Sequence, residues 1–364
     1  MTITYDPKHP KYLDEKDVRD ELTRVYDLCH GCRLCFKFCT SFPTLFDFID
    51  QHEDQDAGRL TPAQQDQVID ECFQCKLCYV NCPYIPGQSE WELDFPRLML
   101  RADAMRHTND QVSLRDKVTT NVMGRTDLLG KVATKTAPLM NKMMGAKPGS
   151  LVRKAIEVTS GVSSERVLPP FAKQRFTTWF NRRPKLKLGK RQGRVALFPT
   201  CLVEYQAPEV GHDLIKVYER NGIECSLADT TQCCGAPFLH SGDIESFTKI
   251  AEKNVKALAN TVRKGNDIVV PQPTCGYVLK KDYLDYVGGP DAELVAANTY
   301  DASEYLMKVH KADGTALDTE FNGDVPETIT YHTPCHLRAQ NIGLKSRDLM
   351  KLTGAKIKLV QQCS

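Results

Sequence analysis

No apolar run in this chain approaches the roughly 20 residues needed to span a bilayer, and the opening MTITYDPKHPKYLDEKDVRD is polar and charged rather than a signal peptide. A soluble, cytoplasmic protein is the expectation. No G-x-G-x-x-G follows a strand-like run and no G-x4-G-K-[ST] occurs, so flavin, nicotinamide and nucleotide sites find no support. Nothing resembles a nucleic-acid recognition module either, and no nucleic-acid partner is expected.

Cysteine is what the chain has in plenty. Fifteen occur in 364 residues, a length that buries ordinary cores without covalent staples. In a cytoplasmic protein such clustering points to metal or catalysis rather than disulfides. Eight fall in two runs of one spacing: Cys29-x2-Cys32-x2-Cys35-x3-Cys39, then Cys72-x2-Cys75-x2-Cys78-x3-Cys82, with Pro83 following the second and Thr40 the first. This is the ferredoxin pattern, in which three thiolates of one run hold a [4Fe-4S] cluster and the fourth cysteine crosses to the other. The expected ligands are Cys29, Cys32, Cys35 and Cys82 for cluster I, and Cys72, Cys75, Cys78 and Cys39 for cluster II. Zinc is the rival, but its knuckles usually set two C-x2-C pairs further apart.

The net charge of +2 conceals a segregation. Residues 1–110 hold 12 basic and 20 acidic residues, residues 111–194 hold 19 and 4, and residues 195–364 hold 17 and 22. A basic middle segment, ending in RRPKLKLGKRQGR, thus joins two acidic bodies. Its stretch 117–155 mixes lysine and arginine with LLGKVATK and LMNKMMG, which suits an amphipathic helix on an anionic membrane or an acidic partner, or else a solvated linker.

From residue 194 strands and helices alternate. RVALFPT leads to Cys201, and Pro208 and Gly222 bracket a helix whose inward face is read as Val210, Leu214, Val217 and Tyr218. IECSLA leads to CCG at 233–235, with Cys225 a core residue within that strand. A helix over 243–263 turns Phe247, Ile250, Ala251, Val255 and Leu258 inward, and DIVVPQPTCG ends on Cys275. The same order returns as TITYHTPC to Cys335, a helix over 337–352, Gly354, AKIKLVQQ and Cys363. Two α/β half-repeats facing one crevice are expected, the second incomplete at Ser364 as in a truncated chain. The fold class expected is α+β multidomain: a helical two-cluster ferredoxin domain (1–110), a basic helical linker (111–194) and an α/β cysteine-rich domain (195–364).

The paired runs, the CCG at 233–235, the PTC motifs of Cys201 and Cys275, and HTPCH at 332–336 together resemble the CCG-domain iron-sulfur oxidoreductase subunits. That group includes the D-type subunit of heterodisulfide reductase, the C-type subunit of anaerobic glycerol-3-phosphate dehydrogenase and the iron-sulfur subunit of glycolate oxidase. The resemblance implies a third iron-sulfur cluster at Cys201, Cys233, Cys234 and Cys275. Cys335 is a further candidate, either a ligand or a thiol beside the site. His332 and His336 flank it and could bond a cluster sulfur, pass protons or simply pack. Val278 stands where a disulfide-cleaving member would have another cysteine, as does Ser364 in the second half. The resemblance therefore implies an electron-transfer subunit between a dehydrogenase, a flavoprotein by preference, and a quinone or membrane carrier, with a place at the inner face of the cell membrane. Reduction of a heterodisulfide or thiol compound at the CCG site is the alternative, and no catalytic residue is assigned.

Overall fold

A computed structural model of the chain describes residues 4–184, 189–228, 230 and 233–360. The N-terminal region is a helical cluster. Its first helix, Glu15–Cys32, is capped by Asp14, whose carboxylate accepts from the Asp17 amide, and it buries Val18, Leu22, Val25 and Tyr26 at helical spacing. It lies against helix Phe95–Thr108. Between them, Ser41–Asp50 contributes Phe42, Leu45, Phe46 and Ile49, and Pro62–Asp70 opens with a Thr61/Gln64 capping box. Arg101 is wholly buried, donating to the Tyr12 carbonyl at 2.8 Å and to Asp17 at 2.9 Å.

The basic segment folds into helices Leu114–Gly124, Thr126–Lys135, Ala137–Met144, Leu151–Ser160 and Phe176–Arg182. It does not stand clear of its neighbours as a bare linker would. A methyl group on Gly124 would strike the Phe238 ring, and one on Gly130 would come within 2.6 Å of Tyr205.

Beyond it lies a parallel sheet of β1 (Gly193–Leu197), β2 (Ile223–Leu227), β3 (Asp267–Val270) and β4 (Thr299–Asp301), in the order β2-β1-β3-β4. Val195 of β1 pairs with Cys225 on one side and Asp267 on the other. The centre of the sheet is covered on both faces, so Val195, Ala196 and Leu197 are all buried. The chain leaves β1 for β2 on one side and returns to β3 on the other. That reversal opens a crevice at the carboxyl ends of β1 and β3, where open α/β sheets hold ligands. A separate parallel pair, β5 (Thr328–His332) and β6 (Lys356–Val360), repeats the strand, helix, strand order.

Several elements differ from the sequence expectations. The strands stop early: Cys201 lies in helix Thr200–Tyr205 and Cys275 in helix Pro273–Tyr277. Helix Pro208–Arg220 turns Gly211, Ile215 and Tyr218 inward, leaving Val210 and Val217 exposed, because Gly211 lets Phe176 and Val203 approach the backbone. The expected helix over 337–352 is two short ones, Cys335–Ala339 and Lys345–Lys351, divided where Asn341 and Gly343 adopt left-handed φ of 54° and 75°. Cys363 lies outside the described residues.

Candidate functional site

The first cysteine run begins on a helix end. Cys29 and Cys32 ride the last turn of Glu15–Cys32, and Arg33, at φ 52°, turns the chain so that its amide still bonds the Cys29 carbonyl at 2.8 Å. Cys29, Cys32 and Cys35 then line one cup together with Cys82 of the second run, against Leu28, Phe42 and Leu93. In the second run Gln74 and Lys76, at φ 53° and 64°, bend the backbone on either side of Cys75. Cys78 follows on the short helix Leu77–Asn81. Burial pushes the Cys72 thiol up to about 12, with Cys39 the first thiol to add to the push. Around Cys78, held well above its usual value by burial, the thiols of Cys72, Cys35 and Cys75 come next. The first run's last cysteine is thus close to the second run, and the second run's last lies in the cup of the first.

The other cysteines gather at the sheet crevice. Cys201, Cys233, Cys234 and Cys275 line a single hollow with Thr120, Met123, His240 and Thr274. Three of them, Cys233, Cys234 and Cys275, are each only 3% exposed. Thr200, buried and β-branched, holds φ 69° and aims Cys201 inward. Gly235 has φ 91°, and a methyl group there would stand 2.8 Å from the Phe247 ring, which is why glycine follows the cysteine pair. Its amide donates to Cys233 Sγ at 3.3 Å. A hydrogen bond between Cys234 and Cys275 holds the Cys234 thiol low and raises Cys275 well above its usual range. Burial lifts Cys201 to about 11.

Residues 195–280 match the family described as CCG, cysteine-rich domain. This segment is a CCG cysteine-rich domain. The chain is 29% identical over 232 residues to a subunit of anaerobic glycerol-3-phosphate dehydrogenase of Escherichia coli, covering 63% of this chain and 56% of the relative. It is 34% identical over 166 residues to a subunit of fumarate reductase (CoM/CoB) of Methanothermobacter marburgensis, covering 45% and 30%. An iron-sulfur protein of Methanococcus maripaludis is 29% identical over 175 residues, covering 47% and 32%. The chain thus spans about half or less of the length of these relatives, and no solved structure matches it.

Two side chains that sequence reasoning missed hold the CCG pair in place. Asn254 donates to the Cys233 carbonyl at 3.0 Å, and the Tyr283 hydroxyl donates to the Cys234 carbonyl at 2.9 Å. Asn254 sits on the buried face of helix Ile244–Arg263, amid Ala251, Val255 and Leu258, and a polar residue at a core position of that helix was the available signal. The basic segment was also missed: Thr120 and Met123 of helix Leu114–Gly124 wall the CCG crevice. Val278 is buried in the core and stays out of the hollow. Cys335, a candidate ligand, begins its helix half-buried and is not among the described residues that line the CCG hollow, and His332 is exposed. Cys225 lies within β2, its thiol donating to the Ile223 carbonyl at 3.5 Å.

Among the described residues no three His, Cys, Asp or Glu side chains close on a single metal ion. The thiols instead rim largely apolar hollows, the CCG one of about 380 Å³ and the first-run one of about 20 Å³, with no lysine, arginine, aspartate or glutamate among the described residues that line either. The volume of the CCG hollow suits an inorganic cluster, whose bulk sets its ligands apart, better than one tetrahedral ion whose thiolates all lie about 2.3 Å from it.

Proposed function

We propose that this chain is the iron-sulfur electron-transfer subunit of an oxidoreductase. It would carry electrons between a dehydrogenase partner, by preference a flavoprotein, and a quinone or membrane carrier. Cys29, Cys32, Cys35 and Cys82 would hold one [4Fe-4S] cluster, and Cys39, Cys72, Cys75 and Cys78 a second, within a ferredoxin-type domain of residues 1–110. Cys201, Cys233, Cys234 and Cys275 would hold a third iron-sulfur group in the CCG domain, with Cys335 beside it. Bound clusters would supply one-electron chemistry at potentials set by thiolate ligation, hydrogen bonds to sulfur and burial.

One observation carries this reading: three separate stretches of the CCG segment bring four cysteines, three of them almost fully buried, to the crevice where the parallel sheet reverses its order. The protein's own groups support it. Asn254 and Tyr283 fix the backbone of the vicinal pair, and the Gly235 amide already points at a ligand sulfur. Burial holds most of these thiols protonated, so they are inert until a metal group displaces the protons. At the first cup Cys32 is exposed beside Leu34 and Phe36, 52% and 56% exposed, which leaves that end open to a donor protein. The basic helices, with Leu114, Leu128, Leu139 and Leu151 exposed among lysines and arginines, would rest on the inner face of the membrane. Disulfide cleavage is disfavoured, because the position that would extend the CCG ligand set is a buried valine, Val278.

Iron and acid-labile sulfide per chain, with EPR of anaerobic protein, test the reading. About 12 irons with three distinct signals are expected, as three four-iron groups require. Cys234→Ser should remove one signal. Cys39→Ser should remove that of the second run and Cys82→Ser that of the first. About 8 irons, as two four-iron groups give, with no signal sensitive to Cys234, would overturn the CCG assignment.

A further inference from the structure

The two cysteine-rich parts meet at a contact that neither motif accounts for. Helix Leu77–Asn81, from the second run, faces helix Cys335–Ala339, and His336 fills the seam. Its Nε2 lies 2.8 Å from the Gln74 carbonyl oxygen and its Nδ1 3.0 Å from the Thr274 hydroxyl. A carbonyl oxygen can only accept, so Nε2 carries the hydrogen and Nδ1 of the neutral ring accepts from Thr274. The Gln74 carbonyl belongs to the peptide bond of Cys75, and Thr274 immediately precedes Cys275. From one cysteine to the other the path therefore crosses two hydrogen bonds and no open gap. Around it, buried Lys76 donates to the Gln74 side chain at 3.0 Å and lies 5.4 Å over the Tyr277 ring, itself 5.5 Å from His336. Among the described residues none of the CCG domain lines the first cup.

We propose that the CCG site exchanges electrons with the second cysteine run rather than the first, and that His336 is the positioning residue that bridges them by fixing the Gln74 carbonyl against Thr274. This rests on the function proposed above. Electronic coupling decays less steeply along covalent and hydrogen bonds than across a van der Waals gap, so a doubly bonded imidazole is a better conductor than a packed apolar ring. The step is a single outer-sphere transfer: the group held by Cys39, Cys72, Cys75 and Cys78 is oxidised by one electron and the CCG group is reduced by one. No bond breaks, and the proton stays on Nε2. The donor partner, or a chemical reductant in vitro, supplies the electron.

The test uses the full chain with all its iron. About one electron per chain is injected by a flash-generated reductant, and its redistribution is followed by freeze-quench EPR in wild type, His336→Phe and His336→Gln. Phenylalanine keeps a ring and loses both hydrogen bonds; glutamine restores a donor and an acceptor. The expected result is full iron and unchanged equilibrium spectra in all three. The concentration-independent arrival of the electron at the CCG group should slow tenfold or more in His336→Phe and recover in large part in His336→Gln. Arrival at the wild-type rate in fully loaded His336→Phe overturns the bridge. Wild type needs no variant for a second measurement: the CCG signal should relax faster when the second-run group is paramagnetic and not when the first-run group is. Enhancement by the first alone overturns the route. A wild-type protein with no CCG signal at all refutes instead the function on which the route rests.

Discussion

Asp282 closes the π-helical turn Val278–Asp282 that follows Cys275, at 4% exposure, and its Oδ2 has no hydrogen-bond partner among the described residues. Burial raises its carboxyl to about 6, against the pull of the Lys76 ammonium. The folded chain thus holds this proton more tightly than the unfolded one. The associated stability is fully present below the ordinary carboxylate range near 4 and is lost as pH rises to about 6. Asp282→Asn keeps the shape and removes the charge. Urea unfolding of the loaded protein should show a gain on the order of 3 kcal/mol at pH 8, from about 1.4 kcal/mol for each tenfold difference in proton affinity, shrinking steadily below pH 6. At this scale the cysteines were legible because their spacing is the signal. Asn254 and Tyr283 were not, since a lone buried polar residue looks like any other until its partner, the carbonyl of a candidate ligand, is in view.

Among the elements, the helices of the basic segment matter beyond their charge. Thr126–Lys135 packs Gly130 on Tyr205, and Leu114–Gly124 presents Thr120 and Met123 to the CCG crevice. Gly130→Ala should push the first of these helices off the sheet domain, at a cost of roughly 1–3 kcal/mol. Faster amide exchange over residues 126–135 and faster bleaching of the CCG signal in air, with the two N-terminal signals unchanged, would mark the effect. Helix Ile244–Arg263 was readable because five apolar residues repeat at helical spacing, and four of them are buried with Ile250 half-buried at the margin. Helix Pro208–Arg220 was read correctly at Leu214 and Tyr218 but not at Val210 and Val217, because a contact residue is Gly211, which contributes nothing to an apolar pattern. The expected helix over 337–352 failed for the opposite reason: its apolar spacing continued across Asn341 and Gly343, where the backbone does not.

At the scale of the molecule, charge is distributed as a basic segment between acidic bodies. Binding to anionic vesicles is expected, released by a few hundred millimolar salt as screening shortens to about 3–8 Å, with no binding to uncharged vesicles of the same size. Retention on both at low and high salt would leave the lysines and arginines without a part in it. The way the two cysteine-rich parts dock was illegible, because His336 and Gln74 are 262 positions apart and no local periodicity records such a pair. The spacing of each cysteine run is written locally in the chain, whereas only the folded sheet shows its reversal falling beside Cys201 and Cys275.

Arg33, Gln74, Lys76 and Thr200 all hold left-handed backbone within two residues of a cysteine, a conformation that costs roughly 1–2 kcal/mol at each non-glycine position. Clusters held as proposed above would offset that cost by tying the thiols together at the cups. Once they are released, these loops are the first to relax, and two of the four residues are an arginine and a lysine, the residues after which trypsin-like proteases cut. Loss of the proposed clusters would thereby become an opening for degradation, and limited trypsin digestion should cut after Arg33 and Lys76 sooner in the cluster-free chain than in the loaded one.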